Sequence, residues 1–352
     1  MRRSVSLPVV LVVLVGILHP QPALSFGAQG HEFSGAIADR LLNPRAAAHV
    51  HRLLGMKLEV ASTWADCAKD VAPGPDGFRY VADPRYHLAC HAFENPGGIA
   101  RMNSYVSRNW NNCDAAGRVT ACHKTYHFAD VAIQHDRYDR AFTGTSDHDV
   151  VSALNAAIGV LRGHPAPAPF SVNDKKEALL LLAHLVGDVH QPMHVSAIYL
   201  DAHDHATDPD AGATPFDPTT STRGGNSIID GSTNLHAEWD AVPAPLQPNR
   251  IRGTTLVAAR RVAPNPNEMS TWPTAWAAET VLASRLTFEG LSFQRDAVKP
   301  GQWTVQFDDR AGYLKRKDEL QTRQLIKAGA RLAQLLNALW PSPVRRSRAQ
   351  GP

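Results

Sequence analysis

Apolar residues recur at three- and four-residue spacing along most of the chain, the mark of helices with one buried face. Phe33, Ile37, Ala38, Leu41 and Leu42 share such a face and predict a first helix ending at Leu42. Residues 44–54 predict a second, opened by Pro44 and closed by Gly55. A third is expected over 58–69. Val150, Leu154, Ile158 and Leu161 are in register for a helix over 147–161. Residues 254–263 and 271–291 also read as helical. The last amphipathic stretch, 317–339, carries Leu320, Leu325, Ala328, Leu332 and Leu336 along its stripe. No segment gives a convincing strand, none repeats, and there is no glycine-rich phosphate loop. The expected class is all-α.

The run from Leu179 to Leu182 opens the most apolar of these helices, with Ser171 and Asp174 as a start signal just ahead. Pro192 should end or bend it near residue 191. Residues 71–125 are rich in Pro, Gly, Asn and aromatics and read as loop-dominated. Residues 199–223 are polar and acidic and read as a mobile surface insertion.

The chain has 352 residues, 43% hydrophobic and 20% charged, ample for a sizeable core. Residues 1–25 have the layout of an export signal: Arg2 and Arg3, an apolar run from Leu7 to Leu18, then Ala23-Leu24-Ser25. The apolar run is short for a membrane span. Paired arginines resemble a twin-arginine signal, but the rest of that motif is missing, so ordinary secretion is favoured. Cleavage after Ser25 makes Phe26 the first residue. Without Arg2 and Arg3, 34 of the 36 Lys and Arg face 33 Asp and Glu, a net of +1. That balance offers no footprint for wrapping duplex nucleic acid. Four cysteines in an exported chain read as two disulfides. Three connectivities are open; Cys67–Cys90 with Cys113–Cys122 encloses the shortest loops and is preferred.

Into the apolar run 180–194 the chain places His184, Asp188, His190 and His194. His184 and Asp188, four apart, project from one helix face. A buried ionised carboxylate is costly unless paired or bound to a metal. His236 and Asp240 repeat the spacing, and His127-Phe128-Ala129-Asp130 lies upstream. One such pair is weak evidence; the whole set points to divalent-cation ligation rather than to hydrogen-bonded core histidines. Asp66 by itself reads as a surface carboxylate. His87, His91 and His123 lie outside any apolar periodicity and read as solvated or structural. His203 and His205 fall in the surface insertion.

In order along the chain stand Gly27-Ala-Gln-Gly30-His31, Trp64-Ala-Asp66, His127-Phe-Ala-Asp130, His184-Leu-Val-Gly-Asp188-Val-His-Gln191-Pro192-Met-His194, Gly224-Gly-Asn226 and Asn234-Leu-His236-Ala-Glu-Trp-Asp240. This set resembles the zinc-dependent nucleases of the S1/P1 type. Residues 327–337 are similar to the closing helix of bacterial members. The resemblance spans nearly all of the chain after residue 25. It implies an all-helical single domain over 26–340, with long loops and a basic tail at 341–352. It implies three zinc ions: one on Asp66, His127, His184 and Asp188; one on His194, His236 and Asp240; one on His31, Asp188 and the amine and carbonyl of the first residue. That residue is usually Trp in the family and is Phe26 here. Asp66, Asp188 and Lys69 are the implied catalytic residues, with Lys69 stabilising the transition state. Phe128 is implied to stack on a base and Asp130 to hydrogen-bond its edge. His190 is expected to support the ligands from behind.

The donor set stands without the family. Imidazole and carboxylate are what zinc takes, at about 2.0–2.2 Å, and incompletely filled shells suit catalysis. Clustered dications clamp a phosphoryl group during in-line attack. Together with that chemistry, the resemblance implies cleavage of single-stranded DNA and RNA to 5′-phosphorylated products, with removal of 3′-phosphates from nucleotides, by a secreted or periplasmic monomer without stable membrane association. The runner-up is a zinc phospholipase C, whose last ligand is typically Glu where Asp240 stands here. A non-catalytic zinc-storage protein, using His203 and His205 as further ligands, is the reading from another class.

Overall fold

The computed structural model describes residues 26–84, 86–114, 116–212 and 216–343. The expected leader, residues 1–25, and most of the basic tail lie outside them. In chain order the first elements are α1 (Gly27–Leu41), α2 (Pro44–Leu54), α3 (Leu58–Ala61), α4 (Trp64–Cys67), the hairpin β1–β2 (Val71–Gly74, Gly77–Tyr80), α5 (His87–Cys90) and α6 (Pro96–Arg108). Next come β3 (Val131–Ala132), α7 (Val150–Leu161), α8 (Lys175–Asp188), α9 (Pro192–Val195), β4 (Ser196–Ala197), β5 (Tyr199–Leu200) and β6 (Ala206–Thr207). The chain continues through β7 (Ile228–Asp230), β8 (Thr233–Asn234), α10 (Leu235–Asp240), α11 (Gly253–Arg260), α12 (Trp272–Ser284), β9 (Leu291–Arg295), β10 (Trp303–Phe307) and α13 (Arg310–Leu339).

α8 is the axis of the molecule. Every residue from Glu177 to Asp188 is buried, and α1, α2, α4, α7 and α13 pack around it. Leu179, Leu180, Leu181 and Leu182 are all in the core, each contributing roughly 1.5–3 kcal/mol by leaving water. The Asp174 side chain caps the helix by accepting from the Glu177 amide at 2.8 Å. Glu177 is itself buried and takes a two-pronged bond from Arg108 Nη2, at 2.9 and 2.8 Å. The helix stops at Asp188, and α9 restarts with Pro192 at its first turn. That break turns His194 away from the α8 axis. α13 lies along α1 so closely that a Cβ on Gly329 would stand 2.6 Å from Ile37 Cβ and 2.7 Å from the Ser34 carbonyl.

The molecule is predominantly helical, but the all-α expectation needs correcting: four small sheets are present among the described residues. The largest has the order β8-β7-β10-β9, with β10 antiparallel to β9 and parallel to β7. Trp303 and Val305 are buried there while Thr304 and Gln306 face out, a period-two pattern too short to stand out beside the helical signals. β3 and β4 pair in parallel, Val131 with Ser196 and Ala132 with Ala197, which draws residues 127–130 up to His194. The helix expected over 58–69 is broken between α3 and α4. There the Ser62 and Thr63 hydroxyls bond the carbonyls of Glu59 and Val60, an alternative to the helical ladder. The loop-dominated reading of 71–125 missed the β1–β2 hairpin and α6, a thirteen-residue helix capped by Asn95. α13 begins at Arg310 rather than 317, where Asp309 caps the Gly312 amide. α12 ends at Ser284, and Leu291 already belongs to a strand. Both disulfides take the preferred pairing, Cys67–Cys90 and Cys113–Cys122. Among the described residues no helix is long and apolar enough to cross a membrane.

Candidate metal centre

α8 supplies the floor. His184 and Asp188, one turn apart, place Nε2 and Oδ2 3.1 Å from each other. His127, from the turn before β3, brings Nδ1 to 2.9 Å from the same Oδ2 and 3.0 Å from His184 Nε2. Asp66 of α4 closes the group, with Oδ1 3.5 Å from His184 Nε2 and 4.0 Å from His127 Nδ1. Lys69 Nζ lies 2.7 Å from that Oδ1.

A second group stands beside the first. His194 Nε2 is 3.1 Å from His236 Nε2 and 3.6 Å from Asp240 Oδ1, and His236 Nε2 is 3.4 Å from Asp240 Oδ2. The two groups meet through Asp188, whose Oδ1 lies 3.2 Å from His194 Nδ1. The same oxygen lies 3.5 Å from His31 Nε2. The His31 ring stacks on His184 with centroids 3.8 Å apart. Phe26, fully buried, has a left-handed backbone (φ 36°), and its nitrogen donates to Asp240 Oδ1 at 3.0 Å.

Three observations fit this set to divalent cations. The donor separations, 2.9–3.6 Å for most pairs, bracket the about 3.3–3.5 Å that tetrahedral bonds of about 2.0–2.2 Å impose on neighbouring ligands. Both His31 nitrogens and Asp188 Oδ1 are buried with no hydrogen-bond partner, an arrangement proteins rarely leave uncompensated. Backbone carbonyls also fix two tautomers. His184 Nδ1 donates to the Ser62 carbonyl and His236 Nδ1 to the Gly224 carbonyl, each at 2.7 Å. Their Nε2 lone pairs therefore face the centre. The break between α3 and α4 is what frees the Ser62 carbonyl.

Electrostatics point the same way. Burial pushes the imidazoles of His31 and His127 down to about 3, so both stay neutral. Burial also opposes charge on His194, yet the Asp188 and Asp240 carboxylates hold it up at about 10. His184 is likewise raised, Asp188 and Asp66 outweighing its burial. Carboxylates this deep demand positive charge, supplied by a proton on these rings or by a metal in its place. Lys69 is raised as well: burial works against its charge, but Asp66 and Asp188 outweigh it.

Above the second group opens a cleft of about 340 Å³. Phe128 stands on its wall with 39% of its surface exposed, unusual for a large aromatic beside a buried polar cluster. Asp130 faces the same space; burial pushes its carboxyl up to about 6, against the pull of Arg223. Its backbone is pinned by the Tyr199 hydroxyl, which donates to the Asp130 carbonyl at 2.7 Å. Gly224 has φ 57°, and a Cβ there would run into the Met193 carbonyl at 2.5 Å, so the turn that offers its carbonyl to His236 requires glycine.

Each expected ligand side chain is thus found in one contiguous cluster, although Phe26 meets Asp240 directly rather than His31. His190 is a correction. Its ring bonds the Val186 carbonyl and Arg331 Nη1, and serves the α8–α13 packing rather than the ligands. Gln191 takes the supporting role expected of His190, donating to Asp240 Oδ1 at 2.8 Å. His203 and His205 sit on an exposed turn capped by Asp201. The cationic residues Lys124 and Arg223 line the cleft and were not singled out in the sequence. Only their positions, three residues before His127 and one before Gly224, hinted at them.

A helical scaffold with adjoining His/Asp groups under an open cleft defines a metal-dependent hydrolase. The family model described as S1/P1 Nuclease matches residues 110–341, and the chain belongs to that family, whose members are metal-dependent nucleases that are typically secreted. No curated protein matches the chain. The matched stretch begins after Phe26, His31, Asp66 and Lys69, so the fold joins these upstream residues to a centre whose remaining donors lie within the match.

Proposed function

We propose that this chain is an S1/P1-type phosphodiesterase that holds three zinc ions and cuts single-stranded DNA and RNA to 5′-phosphorylated products, with 3′-nucleotidase activity on the same centre. The observation that carries the reading is the joining of the two His/Asp groups through Asp188, with His127, His194, His236 and Asp240 lining the same cleft as the exposed Phe128 ring. One ion is assigned to Asp66, His127, His184 and Asp188, one to His194, His236 and Asp240, and one to His31, Asp188 and the Phe26 backbone. When bound, such ions make water a competent nucleophile near neutral pH and draw charge from the phosphoryl oxygens.

The chain's own residues do the rest. Lys69, steered by Asp66, meets the negative charge that grows on the phosphoryl group. Phe128 takes a base on its ring face, and Asp130 accepts a hydrogen bond from the base edge. A base inside a duplex cannot reach Phe128, which selects single strands. Lys124 and Arg223 attract the flanking backbone. Two disulfides suit an oxidising compartment, in keeping with residues 1–25 as a leader, a secreted or periplasmic monomer and a nuclease domain over 26–340.

The test is a side-by-side assay of the zinc-loaded protein on single-stranded DNA, duplex DNA, 3′-nucleotides and phosphatidylcholine. Cleavage of the single strand, with 5′-phosphate ends, is expected. Hydrolysis of the lipid without nucleic-acid cleavage would replace this reading with the phospholipase one, and zinc binding without either activity would leave only storage.

A further inference from the structure

Away from the cleft, His87 of α5 and His91 just past its end stand four residues apart, with ring centroids 5.1 Å from each other. Their side chains are 55% and 74% exposed, and neither belongs to the centre described above. Glu94 follows one turn later and aims Oε2 at both rings, 2.9 Å from His87 Nδ1 and 3.9 Å from His91 Nδ1. Its other oxygen is already committed: the Tyr80 hydroxyl donates to Oε1 at 3.0 Å. Tyr80 ends β2 and is buried, so it holds the carboxylate from a different element. α5 is also anchored by the Cys90–Cys67 disulfide.

We propose that His87, His91 and Glu94 form a further divalent-metal site, selective for ions of the zinc class and independent of the cleft. Two imidazoles and one carboxylate are borderline N/O donors, which zinc prefers over calcium or magnesium. The separations of 2.9 and 3.9 Å straddle the about 3.3–3.5 Å edge of a tetrahedron with bonds of about 2.0–2.2 Å. Small rotations of two exposed side chains therefore suffice to close the site. Glu94 is the fixed member, because the Tyr80 hydroxyl orients it from behind as partners of ligating carboxylates do. Three protein donors leave one position to water, so the site ties α5 to the β1–β2 hairpin without burying the ion. Cys67 adjoins Asp66, so an ion here would brace the segment that backs the cleft.

The experiment compares zinc content after equilibrium dialysis of the full chain against buffered free zinc. The double variant His87→Ala/His91→Ala is expected to hold one ion fewer than wild type and to cleave single-stranded DNA at the wild-type rate. Tyr80→Phe is expected to weaken the same ion by about tenfold or more while the total at saturation stays unchanged. Equal zinc content in wild type and double variant would overturn the proposal. So would a loss of nuclease activity in step with the missing ion, since the ion would then belong to the cleft. Both histidines project into solvent, and Tyr80→Phe gives a readout that leaves the donors in place.

Discussion

The backbone nitrogen of Phe26 donates to Asp240 Oδ1 at 3.0 Å, across 214 positions of sequence. The start of the proposed mature chain thus rests against a carboxylate of the second His/Asp group. A chain beginning at Phe26 carries a free amine there; one beginning a residue earlier carries an amide. The Phe26-initiated enzyme is expected to hold three zinc ions at the cleft, and one retaining Ser25 to hold one ion fewer and to lose most of its activity. Metal analysis of both forms, with the first residue determined, decides it. Equal zinc and activity would count against a role for the terminus.

Asp188 touches His127 and His184 through one oxygen and His194 and His31 through the other. Asp66 stands beside His184, His127 and Lys69 in the first group. Asp188→Asn is therefore expected to lower kcat and zinc content further than Asp66→Asn. The reverse order would show that Asp188 does not serve two ions.

Phe128→Ala is expected to raise KM for single-stranded DNA by roughly 5- to 150-fold, the equivalent of about 1–3 kcal/mol of base stacking. Phe128→Trp should stay close to wild type. If alanine leaves KM alone, the ring is part of the wall and not a platform for the base.

Lys124 and Arg223 line the cleft without a place in the His/Asp cluster. Replacing either by Ala should reduce the slope of log affinity against log salt by about 0.7, one phosphate contact on a single strand. An unaltered slope in both variants would remove them from the strand's path.

Much of this was legible in the chain, and what was not has physical causes. The ligand motifs could be read because helical spacing alone puts His184 over Asp188 and His236 over Asp240. α8 has no polar face to betray its setting, because it is buried all round; its leucines marked it instead. α6 hid behind its Pro-Gly-Gly opening, although Ile99, Met102, Tyr105 and Val106 fall on one side of it. The strands of the largest sheet are two to five residues long, below the length at which alternation separates from chance. Lys124 and Arg223 depend on chain closure across about a hundred residues, which no local pattern encodes. His190 was misjudged for a related reason: its sequence neighbours Asp188 and His194 belong to the His/Asp cluster, but its own side chain bonds Arg331 of α13.

Tyr105, Tyr126 and Tyr138 are buried, and burial pushes each phenol up, Tyr126 to about 12. For Tyr138 the Asp149 carboxylate adds to the effect. The folded chain keeps these protons while the unfolded chain releases them near pH 10. Their contribution to stability is therefore intact below pH 10 and is lost as pH rises beyond it. Tyrosinate absorbance from these three is expected to appear only together with loss of the helical circular dichroism signal. Its appearance in a still-folded protein would mean that the phenols are not shielded.

The close seat of α1 on Gly329 has a bearing on birth order. His31 and Phe26 are among the first residues of the proposed mature chain to be made, yet the surface that seats their helix belongs to the last thirty-residue helix. A polypeptide interrupted anywhere before Arg310 lacks that seat. The helix that carries His31 thus lacks its full packing surface until the final stretch of the chain has been made.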